Sequence, residues 1–255
     1  MSENEELSAL LNGLSNVDSP GKSLSLFFVI DATKSMRSLP GSPYSPIDMV
    51  NVALRELINQ LKVFERSNSV KINLTILTFS NSVMTVTDRM NIQDCIDIPY
   101  IDVRPGLTRY GVVFGELNKL LVEDRIIGVL PKTAPPVIIF MTDGKPDGDY
   151  TYQLDRLLGN EYFKLSQRSV ILMGDAEGSH EAKKALIRFA DKEERLLNSS
   201  NYMSLSDAII QETILALRND FVSPLIPVDP DFEPAAEASP GIPFVVDDYV
   251  PAPTF

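Results

Sequence analysis

The chain has 255 residues, 44% of them hydrophobic, which is enough for one substantial core or two small ones. Its 35 acidic residues outnumber 23 basic ones; a formal net charge of −12 argues against nucleic acid or an anionic membrane as a partner and suits divalent cations or a basic protein surface. Cys95 is the only cysteine, so an intrachain disulfide is excluded, and no apolar run is long enough for a membrane span.

Residues 1–22 read as a separate segment, a short helix or disorder, with Leu7, Leu10, Leu11 and Leu14 on one helical face. This stretch is acidic where a signal peptide needs basic residues, so a cytoplasmic location is expected. Leu24 to Ile30 is a short run rich in Phe, Val and Ile, predicted to be a strand buried on both faces. It runs into Asp31, Ala32, Thr33, Lys34 and Ser35. Ser45, Pro46 and Asp48 then open a helix as cap, first position and capping partner, with Val50, Leu54, Leu57, Leu61 and Phe64 as its apolar stripe. Val70 to Phe79 is a second strand, and Ser82 to Thr87 a third, antiparallel one after a turn at Ser80 and Asn81.

After an irregular stretch from Asn91 to Arg104, Gly106, Leu107 and Thr108 precede a helix from Tyr110 to Val122. Val137 to Met141 is another apolar strand, ending at Thr142, Asp143 and Gly144. A helix over Tyr152 to Leu158, a strand over Ser169 to Met173, a helix over His180 to Ala190, a short strand over Tyr202 to Leu205 and a helix from Ser206 to Arg218 complete the pattern. Strands alternating with helices predict a doubly wound, mostly parallel sheet, with one antiparallel edge strand, in a single α/β domain over residues 23–222. Residues 223–255 are rich in proline and acids and lack Lys and Arg; they are read as an extended flexible tail.

Three pieces carry chemistry. Asp31, Thr33 and Ser35 place a carboxylate and two hydroxyls at the carboxyl end of one strand, where open α/β sheets build their sites. Thr108 follows a glycine before a helix, and Asp143 ends a later strand. Hard cations such as Mg²⁺ take oxygen ligands of these kinds. Asp147 and Asp149 lie nearby as further candidates, though a solvated acidic loop is the favoured reading. His180 is read as a helix-start surface residue and Cys95 as a packed thiol, since neither has a cluster around it.

The ordered pieces FFVIDATKSM, LTFS, GLT and FMTDGKP resemble the von Willebrand factor A (VWA) family with its metal-ion-dependent adhesion site, and in particular the bacterial TerY-like branch linked to tellurite resistance and stress operons. The resemblance covers most of residues 24–218. It implies a Rossmann-like VWA fold and a Mg²⁺ site, with Mn²⁺ or Ca²⁺ as alternatives. Thr33, Ser35 and Thr108 would supply hydroxyls there, and Asp31 and Asp143 charge. One position is left to a partner's Asp or Glu carboxylate. It further implies a non-enzymatic adaptor, encoded in its branch alongside a protein kinase and a PP2C-type phosphatase. Two departures stand out: Thr33 replaces the usual Ser, and Lys34 a common Gly, its side chain expected to project into solvent. The competing readings are a Mg²⁺-dependent haloacid-dehalogenase-like phosphatase with Asp31 as nucleophile, whose usual second Asp is Thr33 here, and a metal-independent scaffold binding through its tail.

Overall fold

The computed structural model describes residues 22–37, 44–68, 70–127, 134–144, 146–173 and 180–199, together with 207, 209–211, 213 and 214. Residues 1–21, the region 202–205 and the tail from 223 lie outside the described residues, and with them the expectations placed there.

Among the described residues six strands form one sheet: β1 (Lys22–Asp31), β2 (Val70–Phe79), β3 (Val83–Asn91), β4 (Val137–Thr142), β5 (Gln167–Met173) and β6 (Leu196–Ser199). Their order is β3-β2-β1-β4-β5-β6, every neighbouring pair being parallel except β2 with β3, which is antiparallel at the edge. The doubly wound sheet with one antiparallel edge strand is therefore present. β6 is an addition to the reading, six residues earlier in the chain than the undescribed 202–205 stretch.

β1 alternates its side chains between two cores, as the two-residue period of a strand requires. Leu24, Leu26, Phe28 and Ile30 face one, where helix α1 (Pro46–Asn68) packs with Val50, Leu54, Leu57 and Leu61, and where Ile209 is buried. Phe27 and Val29 face the other, covered by α2 (Tyr110–Ile127), α3 (Thr151–Gly159), α4 (Glu161–Leu165) and α5 (His180–Ala190). Each such fully buried Leu, Ile or Phe contributes about 1.5–3 kcal/mol.

The start of α1 is fixed as its sequence indicates. The Asp48 amide donates to Ser45 Oγ at 3.2 Å, and the Ser45 hydroxyl donates to the Asp48 carboxylate at 2.5 Å. Inside α1, buried Asn51 holds the 92–104 loop: its Nδ2 donates to the Ile101 carbonyl and its Oδ1 accepts the Ile101 N–H, both at 2.8 Å. That loop carries the chain from the sheet edge back to its centre. α4 is a single short turn, capped by Asn160 Oδ1, which accepts the N–H groups of Tyr162 at 2.9 Å and Phe163 at 3.1 Å.

The strand order reverses between β1 and β4. The chain leaves β1 towards β2 and β3, then returns to β4 on the other side. A crevice opens at such a switch point, at the carboxyl ends of the strands. Asp31 and Asp143 stand there.

Candidate metal centre

Asp31 ends the central strand with no solvent exposure. Its Oδ1 accepts the Thr33 N–H at 2.9 Å and the Thr33 hydroxyl at 2.7 Å; its Oδ2 accepts the Thr142 hydroxyl at 2.7 Å. A tight 3-10 turn, Lys34–Arg37, follows. Met36 plugs that turn into the core, while Ser35 stays exposed. The Thr33 and Ser35 hydroxyl oxygens are 2.9 Å apart, and the Ser35 hydroxyl is 3.1 Å from Asp143 Oδ1. Four of the five residues proposed from sequence thus join in one chain of oxygens.

Thr108 is buried beside that chain; its Oγ1 is 3.7 Å from where a Cβ on Gly144 would stand. Its hydroxyl makes no hydrogen bond to the other four, and its backbone is what holds it. The Thr108 N–H donates to Asp147 Oδ2 at 2.9 Å and its carbonyl accepts the Asp147 N–H at 2.8 Å. Asp147 is exposed, but it is a latch on the Thr108 loop rather than the merely solvated acid expected. Asn81 helps from the β2–β3 turn, accepting the Leu107 N–H at 2.8 Å, and Gly106 sits at a φ of 141° where a Cβ would strike Asn81. Asp149 is exposed and accepts the Thr151 N–H. Cys95 is buried, and burial pushes its thiol pKa up. His180 opens α5. Lys34 is exposed, as expected.

Two contributors were not singled out from sequence. Thr142 supplies the second hydrogen bond to Asp31, and its oxygen accepts the Gly144 N–H at 3.1 Å. Buried Tyr110 donates to the Gly144 carbonyl at 2.9 Å, fixing the backbone just past Asp143. The signal for both was their place beside the candidate residues: Thr142 directly precedes Asp143, and Tyr110 opens the helix after Thr108.

The electrostatics are those of an anionic pocket. Burial pushes the Asp31 pKa up to about 6, against the Thr142 and Thr33 hydrogen bonds, with Asp143 adding repulsion. Burial also raises Asp143, while Ser35 lowers it. Among the described residues no Lys or Arg pairs with either carboxylate. Nor does any cluster of three or more His, Cys, Asp or Glu side chains there suit a metal, so a centre at this place must draw on hydroxyls.

Proton counting shows what the pocket lacks. Three oxygen–oxygen contacts link Asp31, Thr33, Ser35 and Asp143, and the two hydroxyls own one proton each. With both carboxylates ionised, one contact has lone pairs facing lone pairs. Either a proton on a carboxylate or a cation among the oxygens removes that conflict. Two carboxylates and neutral hydroxyls are a fitting donor set for a hard divalent ion.

No family model matches the chain, and no curated protein does. Solved structures do. The ArnB paralog VWA2 from Sulfolobus acidocaldarius superposes with a TM-score of 0.50 at 17% identity, over 74% of this chain and 44% of that one. The fold is that of a VWA domain. Another neighbour with the VWA fold is proximal thread matrix protein 1 from the mussel byssus, solved with a zinc-occupied MIDAS motif: TM-score 0.50, 16% identity, 84% of this chain and 52% of that one. The pilus adhesin SpaC from Lactobacillus rhamnosus GG gives a TM-score of 0.58 at 11% identity, over 79% of this chain and 31% of that one. This VWA-fold chain spans about half, or less, of the length of these three proteins.

Proposed function

We propose that this chain is a protein-binding module that takes Mg²⁺ at the ends of β1 and β4 and uses it to hold an Asp or Glu carboxylate of a partner protein. The oxygen chain from Asp31 through Thr33 and Ser35 to Asp143, with one proton too few, carries this reading. Asp31, buried and oriented by Thr142, would balance charge from beneath; the hydroxyls of Thr33, Ser35 and Thr108 would offer neutral oxygens; Asp143 would close the far side. Bound there, the divalent ion supplies an electrophilic centre for an incoming carboxylate. Mg²⁺ suits this carboxylate and hydroxyl set best, with Mn²⁺ and Ca²⁺ next. The zinc-occupied MIDAS of the mussel protein supports a divalent ion at this place in the fold.

The cellular setting belongs to the same proposal: a cytoplasmic adaptor in a bacterial stress-response or phospho-signalling system, with a protein kinase and a PP2C-type phosphatase as partners. The TerY-like resemblance of FFVIDATKSM and FMTDGKP supports it. The phosphatase reading is weaker. A nucleophilic Asp31 needs a free carboxylate oxygen for in-line attack, yet both its oxygens are buried acceptors, and Thr33 has no acidic proton to give a leaving group.

Calorimetric titration of Mg²⁺ and Mn²⁺ into the wild-type chain and Asp31→Ala tests the reading. Binding by the wild type alone is expected; equal binding by both proteins sinks the site.

A further inference from the structure

The 3-10 turn after β1 has about three residues per turn, so Lys34 and Arg37 stack on one face of it. Ser35 and Met36 point elsewhere, one towards Asp143 and the other into the core. Beside the two cations a groove of about 440 Å³ is lined by Lys34, Arg37, Val103 and Pro105. Arg37 pairs with Asp102 at 2.7 Å, both side chains being well exposed. Lys34 has no ion pair among the described residues.

Two more cations stand on the loop that forms the groove's other wall. Arg104 reaches only neutral oxygens, Thr78 Oγ1 at 3.3 Å and the Ser82 carbonyl at 3.2 Å, and its buried Nε has no hydrogen-bond partner. Its backbone N–H donates to the Ala32 carbonyl at 2.6 Å, which ties this wall to the end of β1. Arg109 is exposed and likewise has no ion pair among the described residues. Against these four cations stand Asp102, already paired with Arg37, Asp48, whose carboxylate lies in the field of Arg37, and exposed Asp147. A chain of net charge −12 thus places these cations beside the anionic pocket of Asp31 and Asp143.

We infer that the partner segment is read at two carboxylates. The first completes the metal centre. The second, two residues along an extended acidic segment and therefore on the same side of it, lies against Lys34 and Arg37, with an apolar side chain on Val103 and Pro105. This inference rests on the metal-binding reading and adds the partner's chemistry to it: an Asp-x-Asp or Glu-x-Asp stretch with a flanking apolar residue. Charge complementarity selects the occupant. The chain's own residues 223–255, with six acids and no Lys or Arg, are the rival occupant, and the experiment separates the two.

The probes are fluorescein-labelled decapeptides of Ser and Gly carrying one Asp and one Leu, or two Asp at i and i+2 and one Leu, titrated with the full chain in Mg²⁺ at low salt. The two-acid peptide is expected to bind about threefold to fivefold more tightly. That advantage is expected to vanish in Lys34→Gln, to which the two peptides should bind equally, and to shrink as salt shortens the screening length. Equal affinities for the two peptides, or an advantage that survives Lys34→Gln, overturn the inference while leaving the metal site standing. Loss of all peptide binding together with loss of calorimetric Mg²⁺ binding overturns the underlying reading instead. An advantage that persists undiminished in chelator overturns the two-point arrangement, because the cations alone then hold the peptide. A several-fold gain in two-acid binding on neutralising Asp229, Asp231 and Glu233 in the full chain overturns the choice of a separate partner, since the chain then fills its own groove.

Discussion

The hydroxyl oxygens of Thr33 and Ser35 stand 2.9 Å apart, and with both carboxylates ionised no proton is left for that contact once Thr33 donates to Asp31 and Ser35 to Asp143. The centre is therefore poised between two ways of completing itself, a proton or a cation. Protonated Asp143 could donate to Ser35, Ser35 to Thr33 and Thr33 to Asp31, satisfying every link. A divalent ion among the same oxygens satisfies them without the proton. Protons and metal should compete here.

Metal should stabilise the fold measurably. An ion bound only by the folded chain at a hundred times its dissociation constant adds about 2.7 kcal/mol, which raises the melting temperature of a domain this size by about 5–10 °C. Differential scanning calorimetry with Mg²⁺ and with chelator checks it. Asp143→Ala should melt at one temperature in both, and a wild-type melt indifferent to saturating Mg²⁺ would count against the centre.

In chelator, stability should fall as pH rises. The folded-state pKa of Asp31 is about 6, above the unfolded value near 3.8, so the folded chain binds the proton more tightly. The contribution is fully present below about pH 4 and is lost as pH passes 6, a change of about 3 kcal/mol. Asp143, raised by burial, acts in the same direction. Urea denaturation from pH 4 to 7.5 should show the decline, and Asp31→Asn should flatten most of it. A wild-type profile that rises over this window would contradict the burial argument.

Thr142→Val keeps the shape of a fully buried side chain and deletes the donor to Asp31 Oδ2. Hydrogen bonds to charged groups are worth about 1.5–3 kcal/mol, so the metal-free variant should lose about that much at pH 7.5 and less at pH 4, where Asp31 is protonated. Urea midpoints at the two pH values measure the difference. An equal loss at both would assign the cost to the Gly144 amide, which also loses its acceptor.

Asp147→Ala should weaken metal binding without weakening the fold. It removes the acceptor of the Thr108 N–H but no buried surface. Residues that orient ligands typically cost about tenfold or more in metal affinity. Calorimetry should find that drop beside an unchanged urea midpoint, with Asp147→Asn intermediate because its amide oxygen can still accept. Unaltered affinity would show that Asn81 and Gly106 hold the loop unaided.

Much of the architecture was legible because the central strands are buried on both faces. Phe27 to Ile30 and Val137 to Met141 are unbroken apolar runs, and the cap of Ser45 with Asp48 marked the start of α1. α4 was illegible: five residues make too short a period to read, and Asn160 is its main signal. β6 was missed because its Leu196 and Leu197 are only partly buried and its next residues are polar. At the centre, carboxylates and hydroxyls at strand ends gave four of the linked residues. Asp147 escaped because an exposed acid reveals its role only through its distance to a backbone amide. Thr142 escaped because a strand threonine is ordinarily unremarked, its work here depending on Asp31 in the adjacent strand.

Asp31 closes a strand that pairs with β2 over ten consecutive positions, Lys22↔Val70 to Asp31↔Phe79, and with β4 on its other side. A pull exerted on the centre along the direction of β1 would load both ladders at once, with all their hydrogen bonds strained in parallel. The same pull on edge strand β3 or β6 would have only one ladder to resist it. A grip placed at the end of β1 is thus anchored in shear, in the part of the sheet that yields last under tension.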